Sequence, residues 1–111
     1  MESIAKTIEQ TLLAWPDVSA APHRFGGIEF RVGRREIGHL HGDKLADLPF
    51  PVSIRKELVA AGHAAPHHVL PESGWVSVWI RGPEDVPAVI DLFRLNYNRL
   101  RRPEPSTGAV A

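Results

Sequence analysis

GIEFRVGRREIGHLHG, from Gly27 to Gly42, is the stretch whose reading decides the fold. Ile28, Phe30 and Val32 alternate with Glu29 and Arg31, the period of a strand with one face buried. Gly33-Arg34 supplies a two-residue turn, and REIGHLH returns as the second arm of a hairpin. That loop length sets Val32 opposite Arg35, Arg31 opposite Glu36, Phe30 opposite Ile37 and Ile28 opposite His39. Arg31 and Glu36 then pair charge with charge on the outer face, while Phe30 and Ile37 pack on the inner one. Ile37, His39 and His41 share the face of Ile28 and Phe30. Both imidazoles are therefore expected to look toward the core side, or into the mouth of a cleft beside it.

Working outward, SIAKTIEQTLLAW spaces Ile4, Ile8 and Leu12 as one stripe of a surface helix, which Pro16 ends. VSAAPHRFGG reads as an edge strand, because Pro22 cannot donate to a ladder, and Gly26-Gly27 turns the chain. After the hairpin, DKLADLPFP is a strand-like or irregular connection. SIRKELVAAG carries Ile54, Leu58 and Ala61 at helical spacing and stops at Gly62. HAAPHHVLPESG is a proline-bracketed loop. WVSVWI is a second strand, with Val76, Val78 and Ile80 on one face and Trp75, Ser77 and Trp79 on the other. EDVPAVIDLFRLNYNRL is an amphipathic helix beginning near Asp85. Strands joined by short turns and covered by amphipathic helices imply an α+β fold: a single two-layer domain with a mainly antiparallel sheet. Its expected extent is residues 1–102, with 103–111 a disordered tail.

Charge narrows the function classes. Thirteen basic and thirteen acidic residues among 111 cancel, unlike the basic excess of a nucleic-acid or anionic-membrane binder. The cluster Arg99, Arg101 and Arg102 is explained as a charged exit from the last helix. With no cysteine, thiolate zinc sites, iron–sulfur clusters, disulfides and thiol nucleophiles are excluded. The polar start MESIAKTIEQ is unlike a signal peptide, so a cytoplasmic protein is expected, with no membrane or nucleic-acid partner. The oligomeric state is left open.

Histidine carries the remaining chemistry. His39 and His41 project in parallel from Cα atoms about 6.6–6.8 Å apart. Such imidazoles can converge on one metal at about 2.0–2.1 Å, or bracket one polar atom of a substrate. His67 or His68 could complete the set, with Asp43 or Asp47 as carboxylates. Unpaired buried polar groups cost about 1–3 kcal/mol each, so two inward imidazoles need partners. His23 and His63 lack a patterned context and are expected on the surface. Trp75 and Trp79 are either packing residues or an aromatic wall for a flat ligand. No nucleophile elbow, phosphate loop or dinucleotide fingerprint is present.

Arg35-Glu36-Ile37, His39 and His41, His68 in HHVLP, then SGWVSVWI and its closing helix resemble the luciferase-domain family. That family comprises small bacterial proteins and, more distantly, the luciferase of bioluminescent fungi. The resemblance implies oxygen-dependent chemistry on an electron-rich hydroxypyrone without flavin. It carries His39, His41 and His68 over as the catalytic centre. Trp75, Trp79, His67 and Arg35 are expected to bind the substrate. The function expected is a flavin-independent oxygenase acting on a small aromatic or enol compound, with a histidine as general base and no cofactor. The alternatives are a non-catalytic module binding a small molecule or protein, and an enzyme holding a metal through His39, His41 and His68.

Overall fold

A strand of alternating side chains buries only one face, and the computed structural model, which describes residues 3–101, covers that face with helices. The elements in chain order are α1 (Ile4–Leu13), β1 (Val18–His23), β2 (Gly27–Val32), β3 (Arg35–His41), β4 (Leu45–Pro49), α2 (Val52–Ala60), β5 (Ala65–Pro66), β6 (Trp75–Trp79) and α3 (Val86–Arg101). The six strands form one sheet, β1-β2-β3-β4-β6-β5, in which every pairing is antiparallel. The fold is α+β, as expected, and residues 103–111 of the expected tail lie outside the described residues. Ile8 and Leu12 of α1 and Val89, Phe93 and Tyr97 of α3 pack with Phe30, Leu40 and Val76 as the core. Both sheet edges carry a proline, Pro22 on β1 and Pro66 on the two-residue β5, which blunts them against pairing with another chain. Among the described residues no helix is long and apolar enough to cross a membrane.

The hairpin turn forms where expected: Val32 pairs Arg35 and Arg31 pairs Glu36, with Gly33 at a φ of 62°. Beyond it the register departs from expectation. Phe30 pairs Gly38, Glu29 pairs His39 and Ile28 pairs Leu40, so Ile37 is an extra residue on β3, a bulge. An extra residue inverts the parity of everything after it. Leu40, not His39, joins the core, and the imidazoles of His39 and His41 move to the face away from the helices. The expectation that they share the face of Phe30 is overturned.

Three features far apart in sequence hold the bulge. Gly38 sits where a Cβ would come within 2.8 Å of the Asp47 carbonyl oxygen and 2.9 Å of Phe93. Ile37 is fully buried, and its carbonyl accepts a 2.8 Å hydrogen bond from Asn96 Nδ2 on α3. Arg99 Nε in turn donates to Asn96 Oδ1 at 2.9 Å. A buried carbonyl displaced from its ladder needs such a partner, and without one the cost is about 1–3 kcal/mol.

Candidate functional site

The bulge gathers the polar residues of three strands and one loop on the open face. From β3 come Glu36, His39 and His41. From β4 comes Asp47, which pairs His39 and, on its other side, Ser77 of β6. Trp75, Ser77 and Trp79 share this face. The loop after β5 brings His67 and His68 over it.

Asp47 is the hub. It is 1% exposed, and its Oδ1 accepts a 2.7 Å hydrogen bond from the Ser77 hydroxyl. Around Oδ2 stand four imidazole Nε2 atoms: His41 at 3.1 Å, His39 at 3.4 Å, His68 at 3.5 Å and His67 at 3.6 Å. Burial alone would raise the Asp47 pKa, but hydrogen bonds from His39 and Ser77 and the charges of His67 and His39 hold it well below the usual carboxylate range.

His39 has a second carboxylate. Its Nδ1 donates to Glu36 Oε2 at 2.7 Å, a contact the bulge creates by bringing residues three apart onto one face. Burial opposes charge on His39, yet hydrogen bonds to Asp47 and Glu36 outweigh it and raise its pKa to about 9. His67 is opposite in character. The backbone N–H groups of Val69 and Leu70 both donate to its Nδ1 at 3.1 Å. Nδ1 must therefore carry the lone pair, and Nε2 carries the proton toward Asp47. Burial, together with the charges of His68, His39 and His41, lowers the His67 pKa despite Asp47.

The aromatic groups enclose this cluster. The Trp75 ring lies 5.4 Å from His39 and 6.0 Å from His67, and Trp79 lies 6.2 Å from His68. Trp79 is half exposed. A cleft of about 640 Å³ bordered by Ile4, Asp43, Lys44, Trp79, Ile80 and Arg81 contains none of the histidines. The histidine face itself is a walled floor on the sheet.

Of the residues expected at the site, His39, His41, His67, His68, Trp75 and Trp79 come together, with Asp47 as the carboxylate. Arg35 does not. It precedes the bulge, is exposed opposite Val32, and exerts its charge on Arg99 of α3. Asp43 is used elsewhere: its Oδ1 accepts from the Ala5 N–H at 2.8 Å and caps α1. His63 is exposed, as expected. His23 is not a bystander. Its ring stacks on His39 at 4.0 Å, and its Nδ1 lies 3.1 Å from Glu29 Oε1. Extending the edge strand to His23 places it on the face of Ser19 and Ala21, a signal present in the alternation. Glu29, bound by both His23 and Arg31, takes the place expected of Glu36.

These charges make stability depend on pH. His39 faces Glu36, Asp47, His41, His23 and Trp75. It binds its proton more tightly folded than unfolded, so its contribution is complete below about pH 6.5 and is lost as pH rises through about 9. Asp47 has the reverse sign: its contribution is present above its usual 3.8 and is lost as pH falls below it. Urea unfolding of chelator-treated protein is expected to lose on the order of 2 kcal/mol between about pH 7 and 9.5, allowing for solvent screening. His39→Gln should lack that alkaline limb. An identical limb in the variant would show that His39 is not its source.

The family model for the luciferase domain matches residues 34–96, more than half of the 111 residues. No curated protein and no solved structure gives a significant match.

Proposed function

The chain belongs to the luciferase-domain family, and from that premise we propose that it is a flavin-independent oxygenase acting on a small, flat aromatic or enol compound at the histidine–aspartate floor. The observation that carries the reading is the convergence of four imidazole nitrogens, 3.1–3.6 Å from one buried carboxylate oxygen. Burying a charge and several imidazoles costs stability unless they are mutually paired, and packing alone offers no reason to collect them. Trp75 and Trp79 on the same face suit a flat ring, which stacks on indole.

In this reading His68 is the base. Its side chain is 41% exposed, and its Nε2 faces Asp47 from the open side. It takes the O–H proton of an enol or phenol, and the electron pair delocalises onto ring carbon. That carbon bonds to dioxygen, which accepts two electrons from the substrate. The distal oxygen then takes the proton back from His68, so a hydroperoxide forms with no other reductant. In the metal-free protein His39, charged between Glu36 and Asp47, keeps Asp47 ionised.

A dissolved-oxygen electrode tests this with a panel of hydroxypyrones, catechols and enolised 1,3-diketones. Uptake is expected with at least one of them, and His68→Gln should lower kcat about 100-fold or more. Two outcomes would overturn the reading. One is an undiminished rate in that variant. The other is a compound that raises the unfolding temperature and is recovered unaltered, the behaviour of a binding module.

A further inference from the structure

We propose that Nε2 of His39, Nε2 of His41 and Oδ2 of Asp47 together bind one divalent first-row transition-metal ion. One ligand atom from each of these three residues lies within 4.8 Å of the others. The nitrogens stand 3.4 and 3.1 Å from the oxygen. Ligand atoms about 2.0–2.2 Å from a common ion are separated by about 3.0–3.5 Å, so these spacings need little adjustment. As hydrogen bonds the same contacts are unequal: His41 makes an ordinary one at 3.1 Å, while His39 stands long at 3.4 Å. A carboxylate oxygen has two lone pairs, and four imidazoles crowd this one.

The outer partners argue the same way. A ligating histidine characteristically donates its other nitrogen to a carboxylate, and His39 Nδ1 does so to Glu36 at 2.7 Å. The Ser77 hydroxyl occupies Asp47 Oδ1 at 2.7 Å and leaves Oδ2 as the oxygen turned to the imidazoles. Asp47 and Ser77 are each 1% exposed, so the carboxylate is held rather than mobile. The ion would replace the proton of His39 as the positive charge between two carboxylates.

His67 also lies near Asp47 yet falls outside the ligand set. Val69 and Leu70 amides consume its Nδ1 lone pair, so its Nε2 carries hydrogen and has no lone pair to offer. His68 borders the side left open. Two imidazoles and one carboxylate with further positions open form the donor set of iron(II) sites that handle dioxygen. That assignment to iron and dioxygen rests on the oxygenase reading; the binding itself does not.

The test titrates chelator-treated full-length protein with cobalt(II), followed by visible absorption, and repeats it anaerobically with iron(II) by calorimetry. One ion per chain is expected. His41→Ala, at a partly exposed position that should tolerate it, is expected to weaken binding more than about 100-fold, beyond the usual loss of an outer partner. His67→Ala should still bind one ion with affinity within about threefold of the parent, which a nonspecific histidine cluster would not do. Absence of cobalt binding, several ions per chain, an unaffected His41→Ala or a disabled His67→Ala overturns the site. Full oxygen uptake by protein that binds no metal overturns the metal and spares the enzyme. Stoichiometric binding without uptake of oxygen on any substrate does the reverse.

Discussion

Asp47→Asn is expected to abolish oxygen uptake and metal binding together while leaving the chain folded. The amide oxygen can still accept from Ser77, so the β4–β6 pairing keeps its buried hydrogen bond. What disappears is the negative charge that four imidazoles face. Removing one partner of a buried ion pair costs about 3–5 kcal/mol; the lower end is expected because Glu36 still holds His39. The same change should lower the His39 pKa from about 9 toward its usual 6.5, since one of its two carboxylates is gone. Proton NMR of the imidazoles reads that shift, and circular dichroism checks the fold. A folded variant that retains parental turnover, with His39 still titrating near 9, would remove Asp47 from the centre of the site.

Gly38→Ala carries the second large effect, on stability. The added Cβ would meet the Asp47 carbonyl oxygen at 2.8 Å, Phe93 at 2.9 Å and Leu48 at 3.0 Å. The first of these is backbone of the neighbouring strand, which cannot move without breaking the β3–β4 ladder. Overpacking at such a point costs about 1–3 kcal/mol and sometimes more. The backbone here, at a φ of 159°, adds to it. A loss of about 3 kcal/mol is therefore expected from the urea midpoint, a large share of a small domain's total. Gly33→Ala is the control. Its φ of 62° is also positive, but a Cβ there meets nothing within 4 Å, so only about 1–2 kcal/mol should be lost. Equal losses at the two glycines would mean that the bulge is not sterically enforced.

How much was legible differs from residue to residue. The α1 stripe, the edge strand marked by Pro22, the turn at Gly33-Arg34 and the faces of the Trp75 strand are all local patterns, and all appear in the structure. The cluster was legible as a list of residue types: His39, His41, His67 and His68, with Asp47 among two carboxylates. Its geometry was not. Arg35 was attached to the motif by adjacency, yet the bulge separates it from His39 by face as well as by sequence. His23 was passed over because no pattern was read around it, although the edge strand read from Val18 already included it.

Composition and periodicity alone determined the two-layer arrangement, the stock of imidazoles and the kinds and order of the elements, except β4, left as strand-like or irregular, and the two-residue β5, read as loop. Only the packed chain decided which way those imidazoles point. Alternation counts residues in twos and cannot register one that is inserted. Ile37 is accommodated because Asn96, fifty-nine positions later, satisfies its carbonyl, and because Phe93 leaves room for no side chain at position 38.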